Sequence, residues 1–322
     1  PGEEPRRIYE LPTPARLLDI DADGRLLIAN VVSTREMIVH APGADAESDL
    51  SWLDWSTPRG ISDDGRWVMF EEGNDVTRDG YGIYLRDTGS EAPLHLGYGT
   101  TVALSPDARW VAAVIRPFSD EPRMELVPTG VGERVPIETG DVVPNAECGT
   151  WLPGSAPDDR GELIFAGRAG DGVVRMYHLA LTGDATPRAI TPEDLPLATV
   201  GHAVSPDGRR VIVNPARGAP VEVAVDGTGP RPVPGVEPGD RPLRFDRDAT
   251  HLFVTTGSSI PAPIVRIELA TGRRAAWREL TPGDPAGVSA IDRVNLSADG
   301  SAYVYSVRRQ LSNVAMMTGL ED

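Results

Sequence analysis

Residues able to do chemistry are scattered along this chain rather than grouped. The five histidines, His40, His95, His178, His202 and His251, include no pair closer than 24 residues, and none falls in an H-x-H or H-E-x-x-H spacing. No single strand or helix therefore carries a metal-binding pair. Cys148 is the only cysteine, which excludes an intrachain disulfide and a Cys-based zinc site. No base adjoins it in sequence, so it reads as a buried thiol and not as a nucleophile. There is no G-x-S-x-G elbow, so no hydrolase of that type is fused here. DIDADG (19–24) opens like a calcium loop, but its twelfth position is Asn30 rather than Glu. Asp23-Gly24 is better read as one copy of a recurring turn. The expectation is no catalytic residue, no metal and no cofactor.

What remains are side chains suited to holding a polar ligand. Trp52 and Trp55 flank Asp54 in SWLDWS; two indoles around a carboxylate can stack on a flat or sugar-like molecule, or plug a gap between structural units. Arg59 and His202 stand three residues before the serine of the recurring turn. Glu147, Asp240, Arg241 and Asp292 stand about five or six before it, with Arg16 at the same place in the first copy. The candidate ligand-binding set is thus Trp52, Asp54, Trp55, Arg59, Glu147, His202, Asp240, Arg241 and Asp292. Arg308-Arg309 reads either as an anion clamp or as a salt bridge to a neighbouring unit. The salt bridge is the expectation, in a loop between two strands of the last unit.

Composition narrows the function. The 31 basic and 48 acidic residues leave a formal charge of −17, which repels nucleic-acid backbones and anionic lipid surfaces. Every basic side chain is arginine and there is no lysine, which excludes a Walker A lysine, a Schiff-base lysine and a kinase strand lysine. Apolar residues are 40% and charged residues 25%, an ordinary soluble balance. Gly and Pro together are 64 of 322 residues (34 and 30), high for helices and normal for many short strands and turns. No run of 18 apolar residues exists, so no membrane-spanning helix is predicted. The chain opens Pro-Gly-Glu-Glu-Pro and reads as a piece of something longer, with 1–5 as linker and 1–322 as one domain.

A repeat organises these residues. It runs apolar, Ser or Asp, any residue, Asp, Gly or Ala, a polar residue, then an apolar stretch. The copies are IDADGRLLIA (20–29), ISDDGRWVMF (61–70), LSPDARWVAAV (104–114), VSPDGRRVIV (204–213), FDRDATHLFV (245–254) and LSADGSAYVY (296–305). A degenerate copy, TWLPG and GELIFAG, spans 150–167. SDDGRW (62–67) differs from the sialidase Asp box, in which a residue separates Asp from Gly, and is read as a turn. Each copy is a strand, a tight turn fixed by Pro, Asp and Gly, and a second strand. A third strand such as YGIYLRD (81–87) and a short fourth such as PLHLG (93–97) follow. Four antiparallel strands per 40–50 residues predict an all-β, seven-bladed β-propeller. The last unit lacks its fourth strand, and RRIYELP (6–12) is expected to complete it.

The SPDG, SPDA and SADG turns resemble those of TolB-like propellers. SDLSWLDWSTPRGISDDGRWVMFEEG (48–73), LATGRRAAWRELTPGDPAGVSAIDRVNLSADG (269–300) and YVYSVRRQLSNVAMMTGLED (303–322) resemble more closely the propeller that follows the kinase domain in many bacterial Ser/Thr protein kinases. That resemblance implies a non-catalytic extracytoplasmic sensor or interaction domain. The implied partners are a small polar ligand, a peptide or a protein, with a homodimer through the parent kinase. A free-standing periplasmic docking scaffold of the TolB kind is the alternative, and a channel-site hydrolase or lyase a more distant one. The kinase half itself is absent from the chain.

Overall fold

The computed structural model describes residues 15–90, 92–153, 161–183 and 185–318. These residues form strands and turns, with no α-helix among them and no helix long and apolar enough to cross a membrane. The N-terminal chain gives β1 (Ala15–Ile20), β2 (Leu26–His40) and β3 (Ser48–Asp49). The first blade follows as β4 (Ser56–Ile61), β5 (Trp67–Thr77), β6 (Gly80–Asp87) and the first half of β7 (Leu94–Leu104). The second half of β7 starts the next blade, with β8 (Trp110–Ile115), β9 (Arg123–Pro128) and β10 (Val135–Ile137). The third is β11 (Val143–Trp151), β12 (Glu162–Arg168), β13 (Val174–Ala180) and β14 (Arg188–Ala189). The fourth is β15 (Leu197–Val204), β16 (Arg210–Pro215), β17 (Val221–Ala224) and β18 (Arg231–Pro232). The fifth is β19 (Asp240–Phe245), β20 (His251–Thr256), β21 (Ala262–Glu268) and β22 (Arg274–Leu280). The closing blade takes β23 (Val288–Leu296) and β24 (Tyr303–Met317) from the end of the chain and β2 and β3 from its start.

The described strands therefore make six blades, where the repeat arithmetic gave seven. All seven turn copies do form hairpins. The first hairpin, β1–β2, builds no blade of its own. Instead β2 runs on for 15 residues and pairs with β24 from Leu26↔Met317 to His40↔Tyr303. The strand expected at 6–12 lies outside the described residues; the outer strands of the closing blade are β2 and β3. Likewise β24 is continuous, so Arg308 and Arg309 lie within a strand and not in a loop.

Blade-to-blade packing follows from strand composition. Central strands such as WVAAVI and ELIFAGR are apolar on both faces and buried on both, because each blade is sandwiched between two others. Six apolar clusters result, one at each junction. At the junction that closes the ring, Met37, Val39 and Val304 pack on Val68, Phe70 and Tyr84. Within the closing blade, polar staples tie β24 to the start of the chain: Tyr303 and Tyr305 donate to the two oxygens of Glu47, both at 2.7 Å, and Arg309 grips Glu36 with two bonds at 2.7 and 3.0 Å. Among the described residues no blade packs against the β1–β2–β24 ribbon beyond that junction, and Leu17, Leu18, Ile20, Val314 and Met316 are exposed.

The turns are built alike. Ser205 donates to Asp207, whose carboxylate accepts the Arg209 N–H at 3.1 Å, while the serine oxygen accepts the Arg210 N–H at 3.0 Å. The same lattice recurs at Ser62–Asp64, Ser105–Asp107 and Ser297–Asp299. Gly65 adopts φ +74°, and a Cβ there would run into Ala302 and Pro42 of the closing blade. Asp299 is held down to about 2 by the Ser301 backbone N–H first and by the Ser301 and Ser297 hydroxyls. Its stabilisation is complete above the ordinary aspartate value of 3.8 and is lost as pH falls through about 2.

Two outcomes are expected. Met37→Ala empties a fully buried site and should cost about 2–5 kcal/mol in urea unfolding, whereas Met316→Ala, 59% exposed, should stay within about 0.5 kcal/mol. Asp299→Asn should lower stability at neutral pH and flatten the acid limb of the pH–stability curve between about pH 4 and 2.

Candidate functional site

Every innermost strand of the propeller carries a register shift at the same depth. The shifts fall between Pro58 and Gly60, Thr101 and Ala103, Asn145 and Gly149, Leu197 and His202, Pro242 and Arg244, and Asp292 and Asn295. A bulge puts an extra residue into one strand and re-aims side chains. Six bulges around one axis aim them at one space. Two adjoining cavities of about 290 Å³ each occupy it, sharing Arg59, Gly149, His202, Leu243 and Asn295. The first sits where the chain enters the innermost strands, and the second reaches toward the turns.

The first cavity has a charged wall. Arg59 from β4, Arg241 from β19, Arg293 from β23 and Arg308 from β24 line it together with Asp292. Asp292 is engaged by Arg308 Nε at 3.2 Å, by Arg35 at 3.3 Å and by the Ser306 hydroxyl. Arg59 binds Glu71 at 2.7 Å, and Glu71 also accepts the Thr101 N–H at 2.6 Å and hydroxyl at 2.8 Å. Arg35 lies over the Trp55 ring at 5.6 Å. Burial pushes Arg35 below the ordinary arginine range; Asp292 opposes this, and Arg293, Arg308 and Arg59 add to it. Arg293 holds φ +54° in its bulge, a region costly for a residue with a side chain.

A second pair sits on the wall between the third and fourth blades. The bulges of β11 and β15 bring Cys148 Sγ to 3.1 Å from His202 Nδ1. The two are 54 residues apart, so neighbouring sequence gives no sign of the pair. Burial lowers His202 to about 4, partly countered by a hydrogen bond with the Gly149 backbone. At neutral pH the imidazole is uncharged, so no imidazolium stands beside the sulfur.

Of the residues singled out from sequence, Arg59, His202, Arg241 and Asp292 meet at the first cavity. Asp240 does not line it; its carboxylate is buried against Arg274 at 2.6 and 3.0 Å. Trp52 and Asp54 are exposed on the approach to β4, away from the lining, and Trp55 packs on Gly73 and Arg35. For Glu147 only the backbone within β11 is described. Arg16 is exposed on β1 and enters no channel. Arg309 makes a structural bridge, but to Glu36 on the paired strand β2 of its own blade and not to a neighbouring unit, while Arg308 lines the cavity. Asp21 and Asp23 lie at the β1–β2 turn, where Asp21 accepts the Asp23 and Arg25 N–H groups at 3.0 and 2.9 Å. Sequence reasoning missed Arg35, Glu71, Thr101 and Arg293. Only Glu71-Glu72, two charges at the end of the apolar run WVMF, offered a signal.

With the geometry in place, the solved structures give the class. A putative TolB from Agrobacterium tumefaciens superposes with a TM-score of 0.56 at 15% identity, covering 87% of this chain and 99% of that one. A chain of a nidogen/laminin complex gives 0.52 at 13%, covering 77% and 94%. TolB from Acinetobacter baumannii gives 0.48 at 13%, covering 85% and 63%. No protein-family model matches the chain, and no curated protein matches it. The chain is a β-propeller.

Arg59→Ala would leave Glu71, 2% exposed, without its cation, and should cost about 3–5 kcal/mol. His202 stabilises the fold fully above the ordinary histidine value of 6.5, and that contribution is lost as pH falls through about 4. His202→Gln should therefore flatten the stability curve between those values, removing a slope of at most about 1.4 kcal/mol per pH unit.

Proposed function

We propose that this chain is a binding propeller and not a catalyst, with the channel mouth as its ligand site. It acts as the extracytoplasmic sensor region of a bacterial Ser/Thr protein kinase. One observation carries the binding reading: six bulged strands converge on a polar cavity in which Asp292, the one carboxylate among the described lining residues, is held by Arg35, Arg308 and the Ser306 hydroxyl. Both oxygens of that carboxylate already have partners. Asp240, one of the three carboxylates that a channel enzyme would bring together, is tied to Arg274 outside the lining. The kinase connection rests on the resemblance of the closing phrase YSVRRQLSN (305–313) and of the stretches before it.

A second reading, a docking scaffold for another protein, is favoured by the β1–β2–β24 ribbon, which shows Leu17, Leu18, Ile20, Val314 and Met316 to solvent. Exposed apolar side chains grouped on one ribbon are a feature of interaction sites. The two readings separate in a thermal-shift screen of sugars, nucleotides, amino acids, short peptides and divalent metals. A ligand at a hundred times its Kd should add about 2.7 kcal/mol to the folded state. The channel reading expects a hit that Arg241→Ala abolishes and Leu17→Asp leaves intact. A hit insensitive to Arg241→Ala, or none at all, overturns it in favour of the ribbon.

A further inference from the structure

Independently of the channel, we propose that the outer edge of β24 is the surface by which two copies of this chain pair, strand to strand, across a two-fold axis. The ribbon that carries this edge is written into the sequence. In the first five blades the segment joining the second and third strands always carries Gly or Pro, such as Gly80 in the first and Pro117 in the second. Neither occurs in 31–36 or 308–313. Nothing there turns the chain back, and β2 and β24 run past the ring as one paired ribbon. Its faces continue faces used inside the ring. By register, Leu27, Val31, Val314 and Met316 fall on the face by which Met37, Val39 and Val304 pack against the first blade. Val314 and Met316 are nonetheless 61% and 59% exposed.

The two edges of the ribbon differ. β1 is blocked as exposed edges usually are: it bulges between Leu17 and Asp19, and the Asp19 carboxylate takes the Ile20 N–H at 2.9 Å. β24 is not blocked. The Gln310 N–H donates to Gly287 O at 2.8 Å, the last bond on that side among the described residues. Strand alternation then points the N–H and C=O groups of Ser312, Val314 and Met316 outward, away from β2. Residues 310–317, QLSNVAMM, hold no charge and no proline, and their pairing with β2 has no register shift. An edge so unprotected is a template for another strand. The occupant follows from the neighbours it must match. An added strand lies beside Leu311 and Ala315 on one face and Val314 and Met316 on the other, so it must itself be uncharged and largely apolar on both faces. The same segment of a second copy meets that condition, and a two-fold antiparallel pairing satisfies the outward groups of both strands at once. The chain's own segment 6–12 joins β1 through Thr13 and Pro14, a lead of about 11 Å from Pro12 to Ala15. The outer edge of β24 lies three strand spacings from β1, about 14 Å, so that lead is too short for the whole segment to lie along it.

The test is sedimentation velocity on the full chain across micromolar concentrations, at low and at high NaCl. The expected species is a dimer. NaCl should strengthen it, because each copy carries −17 and salt screens that repulsion while leaving apolar and backbone contacts intact. Val314→Pro removes an outward N–H and leaves every bond to β2, and Val314→Lys places a charge on the edge; each should raise the dimer Kd at least tenfold. Leu17→Asp, two strands away on β1, should change nothing. Circular dichroism checks folding; if Val314→Pro does not fold, Val314→Lys, which keeps the whole backbone, decides. A monomer at every concentration overturns the proposal, and a fall in its melting temperature on Ile8→Asp would then give the edge to the chain's own amino-terminal segment. A dimer lost in Leu17→Asp and kept in both Val314 variants overturns the edge in favour of ribbon faces stacked on one another. A dimer that NaCl weakens overturns it in favour of an interface of charges. None of these results bears on a thermal-shift hit that depends on Arg241, so the dimer can fall while the channel stands, and the reverse.

Discussion

The structure depends on two-sided burial. Each blade's central strands are apolar on both faces, so a blade exposed on either face would leave an apolar sheet in water. The only arrangement that covers every face is a closed ring, and closure is made once, by β2 against β24. That pairing joins residues almost three hundred apart in sequence, so its loop-closure entropy is large and must be offset at one junction. The chain places unusual content there: 15 paired residues, the fully buried Met37, and Glu47 shared by two tyrosines. Tyr303 is pushed up to about 12, by burial first and then by Glu47, so it remains a donor throughout the physiological range.

Closure also fixes the site. Asp292 stands on β23, Arg308 on β24, Arg35 on β2 and Arg59 on β4, so the ion network of the channel mouth crosses the junction between the end of the chain and its beginning. Arg35 is held by strand pairing to β24 and by a backbone bridge to Trp55. The Trp55 ring and the Asp292 carboxylate then set its direction. This ion network therefore exists only in the closed ring.

Much of this was legible in the sequence, and the reasons for the misses are specific. The turn copies, the third strands such as RMELVPT and the short fourth strands all announce themselves, because their bonds are local. Blade number did not, because a turn signal counts hairpins. Nothing in IDADGRLLIA (20–29) says that its second strand will run on to pair with residues 303–317 instead of turning back. The exposure of Leu17, Leu18 and Ile20 is the structural mark of that difference. In the site, residues standing just before the recurring turns were found by counting back, since the bulge sits at constant depth. Counting over-reached at Asp240, where the bulge aims Leu243 inward and leaves Asp240 for Arg274. It under-reached at Arg35 and Glu71, whose strands are not innermost and which reach the wall only through their partners.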